Sequence, residues 1–200
     1  MKIKPLPLSD GTWLAPNSVW ADGRWNVLVG RSTDEGLTWQ RGEPVPLDHS
    51  KFPGLGVIQP ALWESGPGHV HMLLRGTSGF VCRSDSRDGG RTWSPVAATD
   101  LRHSNTGMDL AKLEDGTLAL VFNPCAAPAR SPLTLALSSD NGRTWPRRLD
   151  LETGPGEFSY PAIISTRVGM AITYTWNRER IAFWHGSVER VPAFASAAGG

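Results

Sequence analysis

Short runs of alternating apolar and polar residues are the main pattern of this 200-residue chain. One run, residues 133–137, reads Leu-Thr-Leu-Ala-Leu, and another, residues 69–75, reads His-Val-His-Met-Leu-Leu-Arg. Period-two alternation is typical of β-strands with one buried face. Turn signals such as Asp-Gly and Gly-Pro-Gly separate the runs, and 22 Gly with 16 Pro supply many turns. The pattern predicts an all-β chain.

Three of these runs lead into the same octapeptide, Ser-x-Asp-x-Gly-x-Thr-Trp. The copies are Ser32–Trp39, Ser86–Trp93 and Ser138–Trp145, with their aspartates 54 and then 52 residues apart. Asp and Gly are turn residues, because Asp accepts backbone hydrogen bonds and Gly adopts positive φ. We predict a hairpin loop locked by its own Ser, Asp and Thr side chains, with the Trp ring buried. A calcium loop is disfavoured, because one carboxylate per copy falls short of about six to eight oxygen ligands.

The octapeptides set the register of four units of roughly 50 residues, each with up to four strands, as in the blades of a β-propeller. The predicted strands are Ile3–Leu8, Thr12 onward and Trp25–Arg31; Val57–Trp63, His69–Arg75 and Phe80–Ser84; Met108–Leu113, Thr117–Asn123 and Leu133–Ser138; Tyr160–Ser165, Met170–Trp176 and Arg180–His185.

The first strand of each propeller blade lines the central axis. Superposing the units puts four residues at equivalent positions near the start of that strand: Lys4, Gln59, Asp109 and Tyr160. The ends of the second strands return to the same face and carry Arg75, Asn123 and Trp176, with Arg178 just beyond. We predict that these polar groups form a binding site at one mouth of the axis. The alternative is that they only hydrate a channel.

The octapeptides resemble the Asp-box, or BNR repeat, of sialidases and related β-propellers. That resemblance implies a sialidase-type propeller with about four of its six blades present. Over nearly the whole chain, the sequence resembles the C-terminal half of bacterial predicted neuraminidases with BNR repeats. The shared patterns are Ile58-Gln59-Pro60, Asn105-Thr106-Gly107-Met108-Asp109, Arg130-Ser131-Pro132-Leu133 and Ser159-Tyr160-Pro161.

The resemblance also implies roles for particular residues. Sialidases bind the substrate carboxylate with three arginines and attack with a tyrosine that a glutamate assists. Arg75 and Arg130 match two of the arginines, whose guanidinium forks suit a carboxylate, and Tyr160 matches the nucleophile. Gln59 stands where sialidases have the glutamate, and an amide cannot take a proton from a phenol. In the similar bacterial group, Gln is usual at this place. No segment matches the first arginine or the acid/base aspartate.

Two carboxylates are candidates for the acid/base role, Asp109 and Glu157. Asp109 also suits a structural role as a loop cap after Gly107, and both alternatives stay open. The predicted substrate-binding residues are Arg75, Arg130, Gln59, Asn105, Asn123 and Arg178.

Composition limits the other functions. A net charge of +1 disfavours a nucleic-acid surface. No stretch approaches 18 apolar residues and no export signal follows Met1, so we expect no membrane contact and a cytoplasmic protein. Two cysteines, Cys82 and Cys125, do not make a disulfide framework. His69 and His71 lack a third metal ligand, and we expect no cofactor.

Residues 1–192 are predicted to form the propeller and residues 193–200 a disordered tail; the oligomeric state is not predicted. The favoured function is that of a sialidase-like exo-glycosidase acting on a terminal, carboxylate-bearing sugar. Two alternatives are a carbohydrate-binding propeller without catalysis and a uronic-acid polysaccharide lyase with Tyr160 as its base.

Overall fold

A computed structural model describes residues 3–193 of the chain. Those residues form four antiparallel sheets in which neighbours in sequence are neighbours in the sheet. The first sheet contains β1 (Leu6–Pro7), β2 (Trp13–Ala21) and β3 (Arg24–Ser32); the second contains β4 (Val57–Gly66), β5 (His69–Gly76), β6 (Phe80–Ser86) and β7 (Ala97–Arg102); the third contains β8 (Asp109–Lys112), β9 (Leu118–Phe122), β10 (Leu133–Ser138) and β11 (Arg147–Glu152); the fourth contains β12 (Phe158–Thr166), β13 (Gly169–Trp176) and β14 (Arg180–Gly186). One 3₁₀ turn follows at Val188–Arg190.

The chain packs as two compact units. Among the described residues, the first comprises residues 3–107 with 126–128, and the second comprises residues 108–125 and 129–193. Within the first unit, Leu14, Val29, Met72 and Leu74 form part of a core between its two sheets. Within the second unit, Val121, Leu135, Ile163 and Ile172 belong to the corresponding core. The single predicted domain over residues 1–192 stays a prediction.

Most predicted strands are confirmed to within about two residues. The strand predicted at Val57–Trp63 runs three residues further, to Gly66. The first predicted strand, Ile3–Leu8, is reduced to Leu6–Pro7, because Pro5 and Pro7 cannot donate to a sheet ladder. The predicted tail began at residue 193, but Ala193 makes a β-bridge with Arg147. Residues 194–200 lie outside the described part of the chain.

The cysteines are both free thiols. Cys82 is buried inside β6, as predicted, and its burial raises the pKa of the thiol. Among residues 3–193, no helix is long and apolar enough to cross a membrane. The same residues contain no group of three or more His, Cys, Asp or Glu side chains that could hold a metal ion.

Each octapeptide closes on itself by the predicted side-chain bonds. In the third copy, Ser138 Oγ donates to Asp140 at 2.8 Å and accepts from the Gly142 amide at 2.9 Å. The Thr144 amide and hydroxyl both donate to the Asp140 carboxylate, at 2.9 and 2.6 Å. The other two copies repeat these contacts around Asp34 and Asp88. The second and third copies connect β6 to β7 and β10 to β11, so they are hairpin loops.

The tryptophans of the three copies differ in burial. Trp145 is buried, Trp93 packs against the core of the first unit, and Trp39 is exposed. The prediction that each copy buries its Trp ring is therefore wrong for the first copy. The Trp39 indole N–H instead donates to the Gly36 carbonyl at 2.9 Å, which satisfies its polar atom inside the loop.

We expect acid to destabilise the protein partly through these loops. Hydrogen bonds from Ser32 and Thr38 lower the pKa of Asp34 to about 2. Burial opposes the shift at Asp88 and Asp140, but their Thr, Ser and backbone donors outweigh it and give a pKa of about 2 for each. Unfolded Asp titrates near pH 3.9. The stabilisation is therefore complete above about pH 4 and is lost as the pH falls towards about 2.

Thermal denaturation between pH 6 and pH 2 tests this expectation. The Asp140→Asn variant should lose less thermal stability than the native protein as the pH falls from about 4 to about 2. Asp100→Asn, at an exposed position on β7, is the matched control. Equal acid sensitivity of Asp140→Asn and the native protein would contradict the role of Asp140.

Candidate functional site

Gln59 and Tyr160 occupy matching irregular positions in their sheets. The register between β4 and β5 passes from Ile58 to Ala61, and the register between β12 and β13 passes from Ser159 to Ala162. The residues left out of the two registers are Gln59-Pro60 and Tyr160-Pro161. Gln59 has φ of +54° and Tyr160 has φ of +50°. Left-handed backbone in such residues costs about 1–3 kcal/mol and concentrates at functional sites. The structure thus confirms that these two of the four superposed positions correspond. The other two do not share the irregularity, because Asp109 pairs regularly with Val121 and Lys4 precedes β1.

In the second unit, Arg130, Glu157, Ser159, Tyr160 and Arg178 form a group that we call the Glu157 cluster. Arg178 Nε donates to both carboxylate oxygens of Glu157, at 2.9 and 3.0 Å. Arg130 Nη1 lies 3.4 Å from Glu157 Oε1, and Ser159 Oγ donates to the same oxygen at 3.3 Å. The structure thus brings three of the predicted site residues, Arg130, Glu157 and Arg178, near one another.

The surroundings keep Glu157 ionised. The hydrogen bond from Arg178 is the largest cause of its lowered pKa, burial opposes the shift, and the charges of Arg130 and Arg178 add to the lowering. An ionised carboxylate at neutral pH can orient a cation or accept a proton, but it has no proton to donate. Of the two roles predicted for Glu157, general acid and general base, only the second fits this environment.

Tyr160 presents its ring to solvent at the edge of the Glu157 cluster. The residue is 43% exposed, and Ile164, Ile181 and Phe183 of the same sheet are exposed as well. Arg130 Cζ lies 5.5 Å from the centroid of the Tyr160 ring, within cation–π range. An accessible phenol beside a guanidinium suits contact with an anionic ligand.

Asn123 holds the segments that carry Arg130 and Tyr160. Its Nδ2 lies within hydrogen-bond distance of three carbonyl oxygens, those of Arg130 (3.0 Å), Pro132 (2.8 Å) and Phe158 (3.0 Å). The side chain is fully buried, with 0% exposure. The surrounding backbone encloses its amide, which disfavours the predicted substrate-binding role; that role stays a prediction. The contacts of Asn123 are those of a positioning residue.

Asp109 is also tied to the backbone. Its Oδ2 accepts a hydrogen bond from the Ile163 amide at 2.9 Å, and the residue is only 7% exposed. β12 is the edge strand of its sheet, so this carboxylate satisfies an amide that faces away from β13. The contact favours a structural role for Asp109. The group that its carboxylate caps belongs to β12, however, and not to the loop after Gly107. A catalytic role for Asp109 stays a prediction that the geometry disfavours.

In the first unit, Arg75 lies among the predicted amides. Its Nε donates to Asn105 Oδ1 at 3.0 Å, and its Nη1 donates to Gln59 Oε1 at 3.3 Å. The guanidinium carbon is 5.4 Å from the centroid of the Trp25 ring. Because both amide oxygens are neutral, they orient the guanidinium without neutralising its positive charge. The structure thus brings the predicted site residues Arg75, Gln59 and Asn105 together, and their role in binding stays a prediction.

Sequence reasoning missed two residues of these groups. Trp25 lies under Arg75, and only the packing of the first two sheets places it there. Asn177 has φ of +51°, and its Oδ1 accepts from the Glu157 amide at 2.8 Å. Its position in the turn Trp176-Asn177-Arg178 was a usable signal, since Asn tolerates left-handed backbone and bonds to nearby amides. Arg178 follows it and is largely exposed.

The four meander sheets and the self-closed octapeptide loops define a β-propeller of the sialidase type, as predicted. The chain belongs to the BNR repeat-like domain family, which matches residues 1–172.

Sialidases are similar to this chain in sequence and in fold. The chain is 27% identical over 154 residues to a sialidase of Micromonospora viridifaciens, a match covering 72% of this chain and 22% of that protein. It superposes on the Hadza microbial sialidase Hz136 with a TM-score of 0.77 and 22% identity, covering 94% of this chain and 37% of the other. It also superposes on the NanB sialidase of Streptococcus pneumoniae (K499G mutant) with a TM-score of 0.74 and 18% identity, covering 94% of this chain and 31% of the other. The chain thus spans well under half the length of each of these relatives.

Proposed function

We propose that this chain carries part of a sialidase-like exo-glycosidase site, which binds a terminal carboxylate-bearing sugar and cleaves its glycosidic bond. The observation that carries the proposal is the Glu157 cluster, with an exposed Tyr160 in left-handed backbone beside the Arg130 guanidinium. The similarity to a curated sialidase supports it. A leech intramolecular trans-sialidase of the same fold, solved with 2,7-anhydro-Neu5Ac, supports a sugar acid as the ligand.

Arg130 is suited to hold the sugar carboxylate. A guanidinium has five N–H donors in a planar fork, and the Glu157 contact at 3.4 Å uses one edge of it. Arg178 takes the stronger bonds to Glu157 and neutralises much of its charge. Arg130 can therefore donate hydrogen bonds to a sugar carboxylate while Glu157 keeps its hydrogen bonds from Arg178.

Tyr160 supplies the nucleophile in this proposal. Its phenolic oxygen bonds to the anomeric carbon as the bond to the leaving oxygen breaks, and the phenol proton passes through water to that departing oxygen. Water later attacks the anomeric carbon of the glycosyl–tyrosine intermediate, and a proton from that water regenerates the phenol. A tyrosine nucleophile is a recognised variant among glycosidases. It avoids setting a carboxylate against an anionic sugar, and the nearby Arg130 charge stabilises negative charge that develops on the phenol.

A second function, binding of a sugar acid without turnover, is favoured by one observation. Gln59 stands at the position expected for a tyrosine-activating glutamate, and its amide oxygen accepts from Arg75. A residue in that arrangement orients an arginine and removes no proton. Turnover separates the two functions, since both require the carboxylate site and only one requires a reactive Tyr160.

Arg130→Ala tests the carboxylate site. We expect the affinity for a sialic acid analogue, measured by calorimetry, to fall by about 10- to 100-fold, because charged hydrogen bonds contribute about 1.5–3 kcal/mol. Hydrolysis of fluorogenic sialosides and of other 2-keto-3-deoxy sugar glycosides should fall in parallel. Arg167→Ala, at an exposed turn position, is the matched control and should change neither value.

Each outcome of this test is informative. Unchanged binding and turnover in Arg130→Ala would remove Arg130 from the site. Binding of the sugar acid by the native protein without hydrolysis of any of these glycosides would establish the binding function in place of the glycosidase.

A further inference from the structure

A serine, a histidine and an aspartate form a hydrogen-bonded chain on the second sheet. Ser65 Oγ lies 2.8 Å from His71 Nε2, and His71 Nδ1 lies 2.6 Å from Asp85 Oδ1. The three residues come from β4, β5 and β6. A hydroxyl within reach of a base that a third group orients is the geometric signature of an activated nucleophile.

The contacts set the tautomer that this chemistry needs. Two groups approach His71 Nδ1: the Asp85 carboxylate, which can only accept, at 2.6 Å, and Arg83 Nη2, which can only donate, at 3.2 Å. The shorter contact assigns the proton of a neutral imidazole to Nδ1, so that Nε2 accepts from the Ser65 hydroxyl. Arg83 Nε donates to Asp85 Oδ1 at 2.9 Å. Burial opposes a lowered pKa at Asp85, but the bonds from His71 and Arg83 outweigh it, so Asp85 stays ionised. The ring of Trp63 stacks on His71 at 5.1 Å with an interplanar angle of 27°, which fixes the imidazole plane.

Burial is distributed as in a nucleophile site. His71 is 9% exposed, whereas Ser65 is exposed. Ser65 is also the residue that the β4–β5 register passes over between Glu64 and Gly66. Such irregularities re-aim side chains and are frequent next to active sites. The reactive oxygen would thus face solvent while its base is shielded.

This chain of residues is separate from the Arg75 group. Gln59 and Ser65 are six residues apart on β4, which corresponds to about 20 Å along a strand. Arg75 lies near the end of β5 and His71 near its start. The two groups therefore occupy opposite ends of the same strand pair.

We propose that Ser65 is a nucleophile activated by His71 and positioned through Asp85, with small acyl esters as its substrate class. Ser65 Oγ forms a bond to the ester carbonyl carbon while its proton passes to His71 Nε2. The C–O bond to the alcohol then breaks, and His71 returns the proton to the departing alkoxide. Water, deprotonated by His71, hydrolyses the acyl-serine and regenerates the hydroxyl.

A fluorophosphonate probe tests the nucleophile directly, since Ser65 would displace fluoride and form a stable O–P bond. We expect one adduct, located by mass spectrometry on the tryptic peptide 52–75, and slow hydrolysis of p-nitrophenyl acetate. Ser65→Ala should abolish both. His71→Gln should slow labelling by about 100-fold or more, and Asp85→Asn by about 10-fold or more, with an altered pH dependence of the labelling rate.

Ser50→Ala is the matched control, because the exposed Ser50 hydroxyl donates to Asp48 in a loop; it should label like the native protein. Circular dichroism confirms that each variant is folded, and the half-exposed Asp85 provides a second variant if His71→Gln does not fold. Absence of a Ser65 adduct on the folded protein would overturn the proposal. So would labelling at an undiminished rate in both His71→Gln and Asp85→Asn.

Discussion

Replacing Tyr160 with Phe should lower kcat for a fluorogenic sialoside by about 10³-fold or more and leave the affinity for a sialic acid analogue nearly unchanged. The reason is that the variant lacks the phenolic oxygen that forms the covalent bond, and removing a nucleophile affects the reaction and not ground-state binding. The Arg130 guanidinium would still lie over a ring of the same shape. Steady-state kinetics and calorimetry on the same preparations measure the two effects.

The chain offers a matched control for this substitution, because it contains one other tyrosine. The Tyr174 hydroxyl donates to Glu152 at 2.7 Å, and burial, the largest cause, raises its pKa. Tyr174→Phe removes a hydroxyl from the same unit and should lower the free energy of unfolding by about 1 kcal/mol with turnover unchanged. A Tyr160→Phe variant as active as the native protein would show that Tyr160 is not the nucleophile.

Replacing Asn123 with Ala should lower the free energy of unfolding by about 3 kcal/mol or more. The substitution removes the donor of three carbonyl oxygens in a fully buried place, and each unsatisfied buried group costs about 1–3 kcal/mol. For a chain of this size the melting temperature should fall by about 6–12 °C.

Asn17→Ala is the comparison for Asn123, because the Asn17 amide donates to the Ala15 carbonyl from a partly exposed position. Its melting temperature should fall by much less than that of Asn123→Ala. Equal melting temperatures of the two variants would show that the Asn123 bonds do not hold the segments of Arg130 and Phe158.

Features decided by nearby residues were predictable from the sequence. The Asp140 loop closes through residues 138–144, so the octapeptide alone specifies it. Strand β10 appears with the predicted bounds, Leu133–Ser138, because its apolar residues and the following loop leave one register. The equivalence of Gln59 and Tyr160 followed from the spacing of the repeats and is confirmed by the matching irregularities of β4 and β12.

Features decided by residues far apart in sequence were not predictable. Asp109 bonds an amide 54 residues away, and Asn123 reaches a carbonyl 35 residues away. Both side chains are polar and stand near predicted axial positions, so the sequence pattern could not distinguish ligand contacts from backbone contacts. Only the packing of β8 and β9 against β12 shows that these groups contact distant backbone.

The self-closed octapeptide loops also bear on how such a chain changes in evolution. Ser138, Asp140 and Thr144 bond to one another and to amides within the same loop. A duplicated segment of roughly 50 residues would carry its own hairpin closure and would need no compensating substitutions elsewhere to form it. Blades can therefore be gained or lost as whole units, while Tyr160 and the arginines, whose partners lie on other strands, constrain which units must be kept.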